Sequence, residues 1–238
     1  MRAARTRAAK PAAPAPAPLP DLAEVLADDA EEILARYPVR RSALLPLLHL
    51  VQSERGCVDV DGISFCASTL GLAEAEVLAV ATFHSMFHRE PVGDHLVAVC
   101  TSTLCAVLGG DAIRDSLRTH LGLSGDGTTE DGAVTLATVA CVAACDYAPV
   151  VMANWEYFDE MTPARARELV DDLRAGRAVW PTRGVGPLCT FRQNTRLLAG
   201  FPDERSYVDS AVTTPGPRTT EGVRLAEAQG WHAPEEKP

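Results

Sequence analysis

The 238-residue sequence contains no uninterrupted apolar run of the roughly 18 residues that a membrane-spanning helix needs. Its longest uncharged stretch, residues 95–110, includes threonine, serine and a glycine pair. Aromatic residues are scarce at 5%, yet hydrophobic residues reach 47% and charged residues 23%. This balance is typical of an ordinary globular protein, so it argues against a disordered, collagen-like or membrane-embedded chain.

Cysteine is also rare, with seven residues in the whole chain. That density excludes a disulfide-stapled scaffold, and an odd number cannot pair completely within one chain. The thiols are unevenly placed, because two close pairs stand apart from three single residues. For the single residues Cys57, Cys66 and Cys189 we expect a structural role as small buried side chains.

Basic residues are in the minority, which gives the chain a net charge of −10. Residues 1–20 hold four basic side chains and no acidic one, so the remaining 218 residues carry −14. A strongly acidic body binds nucleic acid or anionic membranes poorly, since Lys and Arg supply most of that affinity. The charge therefore predicts a protein partner or a buried cofactor, with no nucleic-acid partner and no direct membrane insertion.

The chain divides by composition into four parts. Residues 1–20 are rich in alanine and proline, which favours a disordered tail. Residues 21–92 show apolar positions at three- and four-residue spacing and predict a helical bundle, with Ser42 as the cap of its second helix. Residues 93–180 change to a strand-like period, and residues 181–238 form an extension rich in glycine and proline.

The third part predicts an α+β domain. Four short apolar runs favour a four-stranded sheet, and they begin at residues 95, 134, 150 and 157. Helices are expected over residues 111–121 and 163–173. The second of these has Thr162 as its cap and Pro163 in its first turn, a position that tolerates proline.

The two cysteine pairs each follow a predicted strand. Cys100 and Cys105 come after the first strand, and Cys141 and Cys145 come after the second. Two strand ends in one sheet can bring four thiols to one place. A five-residue offset would place the first two thiols about 140° apart on a helix, so we expect a loop to present them.

The spacing of the pairs is compatible with more than one centre. Structural zinc usually has two-residue spacers within each pair, and neither pair has one. Four intervening residues between cysteines occur in ferredoxin binding loops, which favours a doubly negative, four-thiolate [2Fe–2S] cluster. From spacing alone, zinc, reduced structural thiols and a regulatory disulfide stay open as alternatives.

Several stretches of the sequence resemble a known family. CTSTLC at 100–105 and ACVAACDYAPVVMANWEYFDEMTP at 140–163 are similar to the thioredoxin-like [2Fe–2S] subunit of respiratory complex I, the E-type subunit of the NADH dehydrogenases. LLPLLHLVQSERG at 44–56 and VLAVATFHSMFHREPVG at 77–93 look like that family's N-terminal region. The resemblance runs from about Asp21 to Gly176.

The resemblance implies an N-terminal helical bundle followed by a thioredoxin-like ferredoxin domain. It implies one [2Fe–2S] cluster held by Cys100, Cys105, Cys141 and Cys145. The chain would then be an electron-transfer subunit of NADH:quinone oxidoreductase, docked beside a flavoprotein subunit that binds NADH and FMN and passes it an electron. No fingerprint for NADH or flavin occurs in the sequence, so we do not expect this chain to be active alone.

The resemblance also implies a place in the cell. Thiolate ligands persist in a reducing compartment, so the cytoplasm is expected. There the chain would lie on the cytoplasmic face of the bacterial inner membrane, held through the complex. Two alternative functions are compatible with the same four cysteines. One is the equivalent subunit of an NAD-dependent hydrogenase or formate dehydrogenase, and the other is a non-redox zinc-binding interaction module.

The sequence departs from the family's pattern near the thiols. The family commonly has Arg-Gly shortly after the second ligand, whereas this chain has Leu108 followed by glycine. It often has Glu before the third ligand and Gly two residues before the fourth, where this chain has Ala140 and Ala143. Losing a cation near a doubly negative cluster disfavours its reduction, so we predict a lower potential than in an Arg-bearing relative.

Two further groups of residues have ordinary interpretations. His84 and His88 are four residues apart, but no third ligand is placed to complete a metal site, so packing or an interface role is expected. The aromatic residues Trp155, Tyr157 and Phe158 follow the second cysteine pair. They favour core packing, and contact with a flavoprotein partner is the alternative.

Overall fold

The computed structural model describes residues 20–184, 186–203 and 216–231. The predicted tail at residues 1–20 lies outside the described residues, apart from Pro20. The division of the chain at residues 92 and 180 stays a prediction.

Five helices come first along the chain. They are α1 Leu22–Val25, α2 Ala27–Ala35, α3 Leu44–Arg55, α4 Val60–Leu70 and α5 Glu74–Phe83. Glycines in the left-handed conformation end α3 and α4, as glycine without a Cβ can do readily. The prediction that Ser42 caps the second predicted helix is wrong. Ser42 lies inside a 3-10 turn, Arg40–Ala43, that leads directly into α3.

The helices bury a shared apolar core. Spacing of three and four residues places one face of each helix against its neighbours, which is the pattern that predicted the bundle. The largest fully buried side chains of this helical core are Ile33, Leu47, Leu48, Leu50, Val51, Val58 and Val77.

The second half contains a five-stranded sheet rather than the predicted four. Its strands are β1 His95–Cys100, β2 Gly127–Thr128, β3 Val134–Val139, β4 Val151–Ala153 and β5 Glu156–Phe158. The spatial order is β2-β3-β1-β4-β5; β1 and β3 are parallel, and the other pairs are antiparallel. The prediction missed β2, because two residues, one of them glycine, carry no apolar alternation.

Three helices belong to this sheet: α6 Thr103–Val107, α7 Gly110–Leu121 and α8 Pro163–Arg174. The predicted start of α8 is confirmed, with the Thr162 hydroxyl accepting from the Arg165 N–H and Pro163 in the first turn. The helices α7 and α8 pack on one face of the sheet. Alternate residues of β1 point to opposite faces, so Val97 and Val99 join this core while Leu96 points to the other side.

The extension contributes two helices, α9 Phe191–Leu198 and α10 Pro217–Gln229. The first of them packs against α3, and its fully buried Phe191 also contacts the face of the sheet that holds Leu96. A residue of the extension therefore fills the space between the helical core and the sheet.

Within the described ranges, no single helix has both the length and the apolar character to cross a membrane. The helices α4 and α5 would meet both conditions only if taken together, and they are bent by 120° at the break between them.

Candidate metal centre

The register of β1 and β3 places the two cysteine pairs side by side. The strands run parallel, with Cys100 opposite Val139 at their carboxyl ends. Both chain segments therefore leave the sheet at the same edge, where α/β proteins commonly bind their ligands. From there one segment continues into α6, which carries Cys105, and the other into the turn from Cys141 to Cys145.

The inner pair is buried. Cys100 is 1% exposed at the end of β1, and Cys105 is 2% exposed within α6. A loop was expected to present these thiols, but Cys105 lies on a short helix while Cys100 lies on a strand, so the 140° argument does not apply. Burial raises the pKa of Cys105 to about 11, and contact with the Cys100 thiol adds to the effect, while the N–H of Val150 acts in the opposite direction.

The outer pair faces solvent. The sulfurs of Cys141 and Cys145 are 3.7 Å apart, and both side chains are exposed. The N–H of Ala143 donates to the Cys141 sulfur at 3.3 Å, which requires a left-handed turn with φ of +57° at Ala143. Contact with Cys141 raises the pKa of Cys145, and the nearby Cys100 thiol raises it further, so the two pairs interact electrostatically.

These residues fit a binuclear iron–sulfur cluster. Four thiols in two pairs match the four-cysteine ligation of [2Fe–2S] centres. Gly110 supplies a close approach behind the inner pair, since a Cβ there would lie 2.5 Å from the carbonyl oxygen of Cys100. In the part of the chain that the structure describes, no three side chains of His, Cys, Asp or Glu converge as ligands of a single metal ion.

Sequence reasoning missed one charged group beside the outer pair. The Arg183 guanidinium forms an ion pair with Asp146 at 2.7 Å and another with Asp159 at 2.8 Å. Its partners lie 37 and 24 residues away along the chain. A lone arginine in a segment rich in glycine and proline carries no periodic or spacing signal, so no feature of the sequence could have indicated it.

The remaining candidates have structural roles. Cys57 and Cys66 are buried as expected, and Cys189 is partly buried. The His88 ring packs edge-on against Phe191 at 5.6 Å. Trp155 contacts the same phenylalanine at 5.1 Å, which confirms the core-packing interpretation for this aromatic residue.

Comparisons with known proteins agree with this arrangement. The model of the thioredoxin-like [2Fe–2S] ferredoxin family matches residues 30–174. The chain is 56% identical to the E subunit of NADH-quinone oxidoreductase from Mycobacterium tuberculosis (strain ATCC 25618 / H37Rv), over 90% of this chain and 84% of that protein. It is 37% identical to E subunit 2 of NADH-quinone oxidoreductase from Rhizobium meliloti (strain 1021), over 64% of this chain and 90% of that protein.

A solved structure shows the same fold. The H2-reduced NAD+-reducing [NiFe]-hydrogenase has a chain that aligns with a TM-score of 0.52 at 22% identity, covering 58% of this chain and 24% of that chain. The protein belongs to the thioredoxin-like [2Fe–2S] ferredoxin family. Within that family it is a member of the group formed by the E subunits of NADH-quinone oxidoreductases.

Proposed function

We propose that this chain is the electron-transfer subunit of an NADH:quinone oxidoreductase, with one [2Fe–2S] cluster on Cys100, Cys105, Cys141 and Cys145. One observation carries the proposal: two chain segments leave the parallel strands β1 and β3 at one edge and bring two thiol pairs together there. The cluster, when bound, supplies one-electron storage.

The residues of this chain stabilise the negative charge of a bound cluster and determine which side of it is exposed. Thiolates with an attached cluster are negative, and the N–H groups of Val150 and Ala143 point at the sulfurs of Cys105 and Cys141. Such donors stabilise negative charge on sulfur. Because Cys141 and Cys145 are exposed, the site is open to solvent on their side.

The partner that we propose is a flavoprotein subunit that binds NADH and FMN. The sequence holds no fingerprint for either cofactor, so the electron has to come from another chain. Apolar side chains of α6 and the residue that follows it are exposed next to the inner pair, with Leu104 at 45%, Val107 at 78% and Leu108 at 51%. An exposed apolar patch of this kind suits a protein interface. The complex would hold the chain at the cytoplasmic face of the bacterial inner membrane.

Anaerobic purification tests the cluster assignment. We expect a coloured protein with two iron and two sulfide per chain, and an EPR signal after reduction with dithionite. Cys100→Ser and Cys141→Ser should abolish the iron content, while the matched control Cys189→Ser should keep it. A colourless, iron-free protein with stoichiometric zinc would contradict the proposal and favour the interaction module.

Isolation of the tagged chain from detergent-treated membranes tests the complex. We expect an FMN-containing subunit and quinone-reducing subunits to accompany it. Recovery with a nickel or a molybdenum protein instead would assign the chain to a hydrogenase or a formate dehydrogenase.

A further inference from the structure

Arg183 lies in the extension, beyond the residues that the family model matches. Its guanidinium forms an ion pair with Asp146, the residue next to Cys145 of the outer pair. Its Nε and Nη2 atoms donate to the two carboxylate oxygens of Asp159 at 2.8 and 3.0 Å. Its Nη2 atom also donates to Asp146 at 2.7 Å. We name this group of Arg183, Asp146 and Asp159 the Arg183 clasp.

The clasp holds the turn that carries Cys145. Asp146 is the residue after Cys145, within the 3-10 turn Cys145–Tyr147. The guanidinium also lies over two tyrosine rings, at 5.7 Å from the centroid of Tyr147 and 5.6 Å from that of Tyr157. One side chain therefore contacts both the turn and the neighbouring strand β5.

A second contact holds the other side of the same turn. The hydroxyl of Tyr157 donates to the carbonyl oxygen of Val142 at 3.3 Å, and Val142 lies between Cys141 and Cys145. Because Arg183 lies over the Tyr157 ring, it also restricts the residue that makes this bond.

The clasp itself is fixed to the sheet. The N–H of Thr182 donates to the carbonyl oxygen of Tyr157 at 2.8 Å, and its hydroxyl donates to Asp159 at 2.9 Å. The Asp159 side chain is 11% exposed and that of Asp146 is 19% exposed. Two-point arginine–carboxylate contacts in a partly buried site are stronger and more directional than exposed ion pairs.

We propose that Arg183 is a positioning residue for Cys145, which fixes the turn so that this thiol is held in place for its ligand. The proposal rests on the proposed function for the identity of that ligand. The constraint on the turn itself exists in the cluster-free chain, because every contact of the clasp is made by the protein.

The first experiment measures the turn without any cluster. In cluster-free protein, we expect hydrogen exchange of the backbone amides at residues 142–147 to be about tenfold faster in Arg183→Gln, since lost charge-assisted bonds loosen the turn. Arg183→Lys keeps the charge but not the two-point geometry, so its exchange should be intermediate. The matched control Arg177→Gln removes an exposed ion pair, with Asp172, six residues earlier in the chain, and should leave these amides unchanged.

The second experiment measures the loaded protein. We expect the [2Fe–2S] absorbance to be lost to an iron chelator about tenfold faster in Arg183→Gln than in wild type, with a changed EPR line shape. Far-UV circular dichroism checks that each variant is folded. If Arg183→Gln does not fold, Asp146→Asn removes one bond of the clasp and should give a smaller change in the same direction.

The outcomes separate the two proposals. Wild-type exchange and wild-type cluster loss in a folded Arg183→Gln variant would overturn the positioning role. A wild-type chain that takes up no iron would overturn the proposed function, while the exchange of residues 142–147 would still decide whether Arg183 fixes the turn.

Discussion

Ala143 adopts a backbone conformation that side-chain-bearing residues rarely occupy. Its φ of +57° aims the N–H at the sulfur of Cys141. A left-handed conformation costs an alanine roughly 1 kcal/mol or more, whereas glycine adopts it freely. We therefore expect Ala143→Gly to raise the free energy of unfolding by up to about 1 kcal/mol, reduced by the greater entropy of glycine in the unfolded chain. Urea denaturation of the cluster-free protein measures it.

The adjacent residue provides the control. Ala144 is 3% exposed and has a negative φ of −111°. Ala144→Gly loses a buried methyl group and relieves no strain, so it should lower stability by about 1 kcal/mol. Equal losses in the two variants would contradict the argument from backbone conformation.

Leu108 gives a prediction about redox potential. It directly follows α6, only three residues after Cys105, and it is 51% exposed. A positive charge there favours the reduced, more negative cluster, so Leu108→Arg should raise the midpoint potential. An exposed charge interaction is worth less than about 1 kcal/mol, which corresponds to a rise on the order of 20–40 mV.

Redox titration followed by EPR measures that midpoint. The matched control is Leu78→Arg, which adds the same charge on an exposed position of α5 in the helical bundle. An unchanged midpoint in Leu108→Arg, or an equal rise in both variants, would sink the idea that the local charge sets the potential.

At the scale of single residues, the sequence predicted that the two cysteine pairs follow strands, but not that Arg183 fixes the turn beside Cys145. Cysteine is rare in this chain and each pair follows an apolar run, so the sequence itself shows which thiols lie at the ends of strands. Arg183 meets its carboxylate partners only through the fold, because they lie 24 and 37 residues away from it along the chain.

The elements that the sequence predicted well are those with a clear period. The apolar run that begins at residue 134 forms a strand from that residue, and the helix expected over residues 163–173 extends only one residue further. The two-residue strand β2 and the short helix α6 were missed, because neither is long enough to show a period. These short elements depend on tertiary contacts rather than on local preference.

Helix α9 gives a prediction at this scale. Phe191 is fully buried between α3 and the sheet, and it contacts Trp155 and His88. Replacing a buried phenylalanine removes its burial and leaves a cavity, so Phe191→Ala should lower the free energy of unfolding by about 3–5 kcal/mol.

Thermal and urea denaturation measure this loss. Leu198 lies on the same helix but is 43% exposed, so Leu198→Ala is the control and should cost less than about 1 kcal/mol. A similar small cost for both variants would show that α9 does not hold the two halves together.

Across the whole molecule, the helical core and the sheet meet at a cluster of rings. The His49 ring lies 4.7 Å from Phe87 and 6.3 Å from Trp155, which in turn lies 5.1 Å from Phe191. His49 is 8% exposed, and its Nδ1 atom has no hydrogen-bond partner among the described residues. A histidine in such surroundings is held in its neutral form.

That neutral form makes stability depend on pH. Burial, with a smaller effect of nearby His84, lowers the pKa of His49 from 6.5 to about 4. The unfolded chain takes up a proton below pH 6.5 and the folded chain does not, so stability is full above that pH and is lost as the pH falls towards 4. The loss amounts to about 1.4 kcal/mol per pH unit for this residue.

Urea denaturation at pH 7 and pH 5 measures the effect. His49→Phe keeps a ring at the site but cannot take up a proton there. Between pH 7 and pH 5, we expect its free energy of unfolding to fall by about 2 kcal/mol less than that of wild type. The control Leu48→Val removes a buried methylene group but no titrating group, so it should lower stability by about 1 kcal/mol at both pH values. An identical pH slope in wild type and His49→Phe would rule out His49 as its source.

The burial of Phe191 has a practical consequence for handling the protein. The family match ends at residue 174, which invites trimming the chain at that point. Trimming there would uncover Leu96 and Val92 on the sheet side and the neighbours of Ala199 on the helical side, which are apolar surfaces that the extension now covers. Molecules shortened in this way would aggregate in solution, so the useful boundary for expression lies well beyond residue 174, where the family match ends.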